Sequence, residues 1–313
     1  MEKKLGKATR DAYGETIAEL GKENRDIVVL DADLSKSTKS VMFAEKFPER
    51  FFNVGIQEAN LAGVAAGLAM CGKIPFASSF ASFLVSKGFD QFRMSIAFPE
   101  LNVKLIGSHG GITVGEDGAS QMSIEDFALM TSLPNFAVLS PADEVSARAL
   151  VRDMAKHKGP VYMRTGRPKA AIVHQTSTKF EIGKAVRLLD GKDLTIVANG
   201  FLVFEALQAA EDLAKEGVKA SVIDMHTIKP LDKKILLDEA KKTGRFVVAE
   251  EHQIWGGLGS AVASFLSQNL PCPIEFIAIQ DTFAESGKGE ELLEKYGLTA
   301  PHILKASKRV LGK

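Results

Sequence analysis

The chain has 313 residues, more than one hydrophobic core usually supports, which predicts two domains. Its 39 Lys and Arg residues balance its 39 Asp and Glu residues, which argues against the basic excess of nucleic-acid binding and against an acidic solvating tail. Hydrophobic residues make up 45% and charged residues 25%, ordinary values for a globular protein, so the expected partner is a small molecule or another protein.

Cysteine content and apolar runs indicate the compartment. Cys71 and Cys272 are too few for a disulfide framework and favour a reducing environment. The N-terminal stretch MEKKLGKATRDAYG lacks the apolar core of a signal peptide, and no apolar run reaches the roughly 18 residues of a membrane span. We therefore expect a cytoplasmic protein that binds neither membrane nor nucleic acid.

From the N-terminus, helical and extended patterns alternate. Residues 8–24 have helical spacing, and the β-branched run at residues 26–31 predicts a strand, followed by a polar loop. Further helices are predicted at residues 41–47, 57–72, 82–97, 124–133 and 144–157, and further strands at 51–54, 74–77, 103–107, 136–139 and 161–164. Continuous apolar strands separated by helices predict a parallel sheet covered on both faces.

A polar stretch without sustained periodicity, residues 168–183, separates this unit from a second one. Beyond it, strands are predicted at residues 194–198, 220–224, 246–250 and 274–279, and helices at 203–216, 233–242 and 259–268, with two short helices after them. The sequence therefore predicts an α/β protein with two doubly wound parallel-sheet domains, residues 1–175 and 184–313, of which the second is smaller.

Glu58 lies in the segment NVGIQEAN, where a predicted strand gives way to a predicted helix. That helix continues as LAGVAAGLAMCG and is apolar on every face, a pattern typical of a buried helix, so Glu58 should sit at the edge of a dry interior. An acidic residue in a first turn commonly complements the helix macrodipole. The alternative is a desolvated carboxylate held for proton chemistry.

Two other regions follow predicted strands, where open parallel sheets bind ligands. The loop SHGGITVGEDG contains His109 and Asp117, although its composition also fits a merely mobile loop. Arg164 and Arg167 in MRTGRP suit a phosphate or carboxylate, with surface ion pairing as the alternative.

Several conspicuous segments favour structural roles. HQIWGGLGS lacks the third glycine of a dinucleotide fingerprint and indicates a tight turn with close helix packing. His252, between Glu250 and Glu251, is expected to be solvated or structural rather than catalytic. The aromatic residues whose first interpretation is packing in the hydrophobic core are Phe76, Phe80, Phe83, Phe89 and Phe92.

The order and spacing of these motifs are more specific than any one of them. ATRDAYG, DADLSKST, NVGIQEAN, PFASSFASF, FDQFRMS, SHGGITVGEDGASQM, RTGRP, TIKPLD and EEHQIWGGLGSAV together resemble the second half of transketolase, and the resemblance covers essentially the whole chain. In that family this half comprises a thiamine diphosphate-binding pyrimidine domain and a carboxy-terminal domain. The family's first half binds the diphosphate and Mg²⁺ through GDG followed by Asn, and no GDG occurs here.

The resemblance implies thiamine diphosphate and Mg²⁺ as cofactors, with the metal ligands on a partner chain that carries GDG, and a heterotetramer of two of each chain. Glu58 would bond the ring nitrogen of the cofactor's aminopyrimidine and favour the tautomer that removes the thiazolium C2 proton. Phe83 would stack on the aminopyrimidine with Phe80 beside it, and Asp33 would lie near the thiazolium ring.

The resemblance also assigns substrate contacts. Asp117 would touch sugar hydroxyls, and Gln121 stands where many family members carry histidine. The spacing between Phe83 and FDQ is one residue longer than in some members. The residues that would meet substrate phosphate are Arg10, Ser37, His109 and Arg167, with His109 also counted as catalytic.

The implied activity is transfer of a two-carbon glycolaldehyde unit from a ketose phosphate such as xylulose 5-phosphate to an aldose phosphate such as ribose 5-phosphate, as in the pentose phosphate pathway. A deoxyxylulose phosphate synthase fragment and the β subunit of a 2-oxo acid dehydrogenase are the nearest alternatives. A non-catalytic partner module of the same fold is an alternative of another class, although the intact set of Glu58, Phe83, His109 and Asp117 counts against it.

Overall fold

Two mostly parallel sheets organise the computed structural model, which describes residues 3–313. The strands are β1 (Leu5–Ala8), β2 (Ile27–Asp31), β3 (Phe51–Asn53), β4 (Ile74–Phe80), β5 (Lys104–Ser108), β6 (Ala137–Leu139), β7 (Val161–Thr165), β8 (Lys169–Ala171), β9 (Val186–Leu189), β10 (Leu194–Ala198), β11 (Ala220–Asp224), β12 (Thr227–Lys229), β13 (Phe246–Gln253) and β14 (Ile274–Ile279). The helices are α1 (Thr9–Glu23), α2 (Ser35–Thr38), α3 (Val41–Ala44), α4 (Glu58–Met70), α5 (Ala81–Gln91), α6 (Asp126–Ser132), α7 (Glu144–Lys156), α8 (Leu202–Lys215), α9 (Lys233–Thr243), α10 (Leu258–Asn269), α11 (Gly289–Lys295) and α12 (Ala300–Leu311).

The first sheet has the strand order β12-β6-β7-β5-β4-β2-β3, and all its pairs are parallel except that of β12 with β6. Every residue of β2, β5 and β7 is buried, as continuous apolar runs predict. In β2, Ile27 and Val29 pack with Tyr13 of α1, whereas Val28 and Leu30 pack in the cluster that contains Leu61 of α4. Helices therefore cover both faces, which confirms the predicted α/β architecture of this unit.

The second sheet has the strand order β14-β13-β10-β11-β9. Helices α8 and α12 cover one face, and α9 and α10 cover the other. The apolar cluster under α9 and α10 is continuous with the cluster under α4 and α5, so the two sheets are joined through packed side chains. The structure thus agrees with the prediction of a second, smaller α/β unit.

Four short strands depart from the sequence prediction. β9 and β12 pair antiparallel, and β1 pairs with β8 in a separate antiparallel ribbon. Each has only three or four residues, too few to show a periodicity of two. β12 lies beyond residue 183 but pairs with β6 of the first sheet, Thr227 opposite Leu139. The division of the chain at residues 175 and 184 stays a prediction.

The prediction that α4 is buried on every face is wrong for the isolated chain. Leu61, Ala62, Ala65 and Ala66 face inward. The exposed positions are Asn60, Gly63, Gly67 and Met70, the last with 76% of its surface accessible. A Cβ built at Gly63 or Gly67 would meet no described atom within 4 Å. The apolar sequence therefore includes an outer face that this chain does not cover.

The predicted helix at residues 82–97 is interrupted. α5 ends at Gln91 and continues as a π-helix over Phe92–Ala97. A π-helical turn accommodates an extra residue within an α-helix and often lies beside a functional site.

No helix within residues 3–313 is long and apolar enough to cross a bilayer. Cys71 and Cys272 are both free thiols.

Candidate active site

The carboxyl ends of β2, β4, β5 and β7 meet at one edge of the first sheet. Shortly after these strand ends come Asp33, Phe83, His109 and Arg167. The topology therefore brings together residues that are widely separated in sequence, at the place where parallel sheets bind ligands.

Glu58 is the first residue of α4, and only 1% of its side chain is exposed. Its Oε1 accepts a hydrogen bond from the Ser79 hydroxyl of β4 at 3.2 Å. Its Oε2 lies 3.6 Å from Nζ of Lys87 on α5, a side chain that is 53% exposed. Apart from the Ser79 hydroxyl, this buried carboxylate faces a half-exposed ammonium, so its Oε2 can take another partner when that side chain moves away.

A row of rings continues from this carboxylate. Lys87 Nζ lies 4.8 Å from the ring centroid of Phe83. The Phe83 and Phe80 rings are stacked with centroids 5.7 Å apart, and Phe80 stacks on the imidazole of His109 with centroids 3.9 Å apart. The structure therefore links Glu58 to His109 by direct contacts. Phe76 and Phe92 are fully buried core residues, as predicted, whereas Phe83 is only partly buried.

His109 is buried, and its hydrogen bonds define its tautomer. Nε2 lies 3.1 Å from NH1 of Arg10, and Nδ1 lies 2.8 Å from the Ser108 hydroxyl. Because a guanidinium only donates, Nε2 must accept, and the ring proton must be on Nδ1. Burial, and then the positive charges of Arg10, Arg167 and Lys39, lower the pKa of His109 to about 3. The imidazole is therefore neutral at pH 7.

Arg10 and Ser37 complete this part of the site. Arg10 NH1 also donates to the main-chain oxygen of Ser37 at 3.0 Å, so the α2 segment orients the guanidinium. The pKa of Arg10 is lowered by burial and further by the nearby Arg167, with Asp11 acting in the opposite direction. Cationic side chains that converge around a neutral imidazole favour an anionic ligand.

Arg167 is held by the glycine-rich loop. It donates to the main-chain oxygen of Val114, and its NH1 lies 3.3 Å from Oε2 of Glu116 and 3.6 Å from Oδ1 of Asp117. Asp117 thus joins the cationic cluster through Arg167. A cavity of about 340 Å³ opens beside Arg10 and Arg167, with Phe201 and other residues of the second unit in its wall.

Asp33 and Gln121 lie at the periphery. Asp33 has φ +67°, and its carboxylate accepts from the side-chain amide of Asn53 at 2.9 Å, which ties it to the NVGIQEAN segment. The main-chain oxygen of Gln121 accepts from the Ser82 hydroxyl at 3.1 Å, next to Phe83. No direct contact joins either side chain to His109 within residues 3–313.

Arg164 does not belong to the anion cluster, and its interpretation as a ligand-binding residue is wrong. Its guanidinium makes a two-point contact with the carboxylate of Asp126 and donates to the main-chain oxygen of Glu251 at 2.7 Å. It also lies 3.6 Å from the ring centroid of Phe127. Because the side chain is buried and fully paired, it stabilises the fold.

The segment HQIWGGLGS is also structural. Glu250 closes the N-terminus of α10 by accepting from the amides of Leu258 at 2.7 Å and Gly259 at 2.8 Å. His252 is buried, accepts from the Ala128 amide, and stacks on Phe127. A tight turn against a helix, rather than a nucleotide site, accounts for the glycines.

Sequence reasoning missed Asp31 as a site residue. Its buried carboxylate accepts from the Leu34 amide at 2.6 Å, Thr38 Oγ1 at 2.7 Å and Ser40 Oγ at 2.8 Å. These bonds fix the segment that carries Asp33 and Ser37. Burial raises the pKa of Asp31 to about 6. The Thr and Ser that follow the first aspartate of DADLSKSTKS are the only local signal of this role.

The residues present fit the pyrimidine ring of thiamine diphosphate. Glu58 offers a buried carboxyl group, and Phe83 offers a partly exposed ring that contacts the same lysine, Lys87. A flat aromatic heterocycle whose ring nitrogen shares a proton with the carboxyl group can use both features. Within residues 3–313, no three His, Cys, Asp or Glu side chains converge in a way that could hold a metal ion.

Two family models match the chain almost end to end. Residues 6–171 match the transketolase pyrimidine-binding domain, and residues 183–303 match the transketolase C-terminal domain. The chain belongs to the transketolase family.

The chain corresponds to the second half of transketolase in its similarity to known proteins. A Methanocaldococcus jannaschii protein assigned as a transketolase C-terminal section is 48% identical over 303 residues, 96% of this chain and 95% of that protein. Human transketolase is 39% identical over 310 residues, which cover 98% of this chain but 49% of the human protein. A solved split-gene transketolase, described as an inactive β4 tetramer, has 51% identity and a TM-score of 0.92, and the match covers 98% of this chain and 99% of that one.

Proposed function

We propose that the chain is the carboxy-terminal, pyrimidine-binding subunit of a cytoplasmic two-chain transketolase, with its two domains in residues 1–175 and 184–313. With its partner it transfers a glycolaldehyde unit from a ketose phosphate to an aldose phosphate. The observation that carries the proposal is the unbroken row of contacts from Glu58 through Lys87, Phe83 and Phe80 to His109. It joins a ring-binding end to an anion-binding end.

At the first end, Glu58 and Phe83 would hold the aminopyrimidine, with Phe80 supporting Phe83 and Asp33 nearby. When bound, thiamine diphosphate supplies a carbon nucleophile that can carry a two-carbon unit and stabilise its negative charge. Glu58 keeps or shares a proton at the ring nitrogen, and the dry start of α4 protects that proton from water.

At the second end, Arg10, Arg167 and the neutral His109 would bind the terminal anion of the sugar. Asp117, placed beside Arg167, lies where it can accept hydrogen bonds from hydroxyl groups of the same substrate. Gln121 would line the part of the site that receives the acceptor sugar. Charge-assisted bonds from two guanidiniums give this end its affinity for phosphate.

A partner chain would supply the diphosphate and Mg²⁺ site. The fused relatives carry about twice the length of this chain, since it spans 49% of human transketolase. The exposed outer face of α4, which includes Met70, and the exposed Ile56 nearby form an apolar surface of the kind that marks protein interfaces. A heterotetramer of two chains of each kind would cover this surface and complete the shared active sites.

The test is an assay of xylulose 5-phosphate with ribose 5-phosphate, thiamine diphosphate and Mg²⁺, using each chain alone and the two mixed. Activity is expected only in the mixture. No activity from a complex that assembles and binds the cofactor would contradict the proposal. Turnover with pyruvate as donor would then favour a deoxyxylulose phosphate synthase or 2-oxo acid dehydrogenase type of reaction, and no turnover with any donor would favour a non-catalytic module.

The terminal anion could also be a sulfonate. The 6-deoxy-6-sulfo-D-fructose transketolase subunit SqwH of Clostridium sp. strain MSTE9 is 42% identical over 301 residues, 96% of this chain and 94% of that protein. Sulfonate and phosphate both present three oxygens to guanidinium donors. Comparing kcat/KM for 6-deoxy-6-sulfo-D-fructose and for fructose 6-phosphate in the mixed complex shows whether the site prefers a terminal sulfonate or a terminal phosphate.

Arg167→Ala is expected to raise KM for phosphorylated sugars by about 10- to 100-fold, the range for losing a hydrogen bond to a charged group. Removal of the guanidinium also leaves Glu116 and Asp117 without their cation, so an anion is repelled. The KM for an unphosphorylated sugar should change little. The matched control is Arg25→Ala, on an exposed arginine outside the site. Equal effects on both substrate types would show that Arg167 is structural.

A further inference from the structure

Lys87 contacts both residues proposed to hold the cofactor ring. Its ammonium lies 3.6 Å from Oε2 of Glu58 and 4.8 Å from the centroid of Phe83. Lys87 and Phe83 are four residues apart on α5, so they share a helix face. The family resemblance assigned no role to Lys87.

The position of Lys87 balances the charge of Glu58. The buried carboxylate has one other hydrogen-bond donor within residues 3–313, the neutral hydroxyl of Ser79 at 3.2 Å. A buried carboxylate without a cation nearby is unfavourable, so the ammonium stabilises Glu58 in its buried position. The lysine stem is flexible, and 53% of the side chain is exposed, so the head can leave towards water without unpacking the core.

An aromatic ring that binds Glu58 and stacks on Phe83 must use the same two partners. Lys87 faces Oε2 of Glu58, whereas the Ser79 hydroxyl donates to Oε1. The ammonium is also attracted to the π-system of Phe83. Lys87 and a bound ring therefore compete for one acceptor and one aromatic side chain.

We propose that Lys87 is a displaceable placeholder for the cofactor ring: it neutralises Glu58 and contacts Phe83 in the chain without cofactor, and it swings out when the ring binds. The proposal rests on the proposed function, because it requires that thiamine diphosphate binds at Glu58 and Phe83. The placeholder lowers the affinity for the cofactor, and in return it keeps the buried carboxylate paired before assembly.

The experiment measures the Kd of thiamine diphosphate with saturating Mg²⁺ by calorimetry in the mixed two-chain complex. Lys87→Met, which keeps the length of the side chain without the charge, is expected to lower Kd by about three- to thirtyfold, the combined range of an ion pair with one half-exposed partner and a cation–π contact. Lys87→Arg, which keeps the charge, should stay close to the wild type. Lys73→Met is the matched control, because it removes an exposed pair with Asp26 instead.

Salt distinguishes this role from a structural one. The advantage of Lys87→Met over the wild type should shrink as NaCl is raised, because salt screens the ion pair that competes with the cofactor. A crystal structure of the cofactor-bound complex should show the ammonium beyond ion-pair distance of Glu58. An unchanged or weaker affinity in Lys87→Met, or an intact Lys87–Glu58 pair beside bound cofactor, would overturn the proposal. Failure of the wild type and every variant to bind cofactor would instead refute the proposed function, and this inference with it.

Discussion

Glu58→Gln is expected to lower kcat for two-carbon transfer by about 10²- to 10⁴-fold, the usual contribution of a positioned acid or base. Glutamine has nearly the same shape, and its carbonyl oxygen can still accept from the Ser79 hydroxyl, so the fold and assembly should persist. The amide cannot share a proton with a ring nitrogen. The measurement is turnover of the mixed complex, with circular dichroism and sedimentation to verify folding and assembly.

The matched control is Glu144→Gln. Glu144 is also an acidic residue in the first turn of a helix, α7, but it lies outside the proposed site. If both glutamates only complement helix dipoles, both variants should cost about 0.3–1 kcal/mol of stability and leave kcat unchanged. Near-normal turnover in Glu58→Gln would remove Glu58 from the mechanism.

The second large effect is expected at His174, in the stretch between the two sheets. Its Nδ1 lies 3.2 Å from Oδ2 of Asp143 at the start of α7, and its Nε2 lies 3.2 Å from Oδ2 of Asp224 at the end of β11. All three side chains are fully buried, and the contacts are ion pairs rather than aligned hydrogen bonds. Burial would lower the pKa of His174, but the two carboxylates outweigh it and raise the pKa to about 9.

His174→Gln is expected to destabilise the chain by about 3–5 kcal/mol, the usual cost of removing one partner of a buried ion pair. Both oxygens of Asp224 have no other hydrogen-bond partner within residues 3–313. Urea unfolding followed by circular dichroism measures the loss. His302→Gln is the control, because His302 is only partly buried and faces one hydroxyl, and it should cost less than about 1 kcal/mol. Adding Asp224→Asn to His174→Gln should recover part of the loss.

The pH dependence of the free energy of unfolding tests the role of the His174 imidazole independently. The pKa of His174 is higher in the folded chain than its ordinary 6.5, so its contribution is complete below pH 6.5 and is lost as pH rises towards 9. The shift corresponds to about 3 kcal/mol. The wild type should therefore lose stability over this window, and His174→Gln should show a much smaller slope. Parallel curves for the two proteins would exclude His174 as the titrating group.

Regular elements could be predicted where periodicity is strong. The strands predicted at residues 194–198, 220–224 and 274–279 have the same bounds in the structure. Short strands such as β9 and β12 could not be predicted from the sequence. They are extended because they pair with a neighbouring strand of the sheet, and not because of a local sequence pattern. The exposed face of α4 was missed for a related reason. A sequence shows that a helix is apolar, but not whether its own chain or another chain covers it.

The site could be predicted only in part. Motif order located Glu58 and His109, and the fold brings them to one sheet edge. The roles of Lys87, Asp31 and His174 depend on contacts that no local pattern encodes, such as the pairing of His174 with residues 31 and 50 positions away. The pairing of Arg164 with Asp126 likewise decides between ligand binding and ion pairing, two interpretations that its sequence position allows.

The pairing of β12 with β6 has a consequence for any attempt to divide this chain. A fragment that stops before residue 184 would lose β12 and expose the main-chain groups of β6 as a free edge, which invites pairing with other molecules. The same fragment would leave one side of the apolar cluster shared with α9 and α10 open to water. The regions matched by the two family models thus share one sheet and one apolar cluster, so we expect a cut between them to destabilise both.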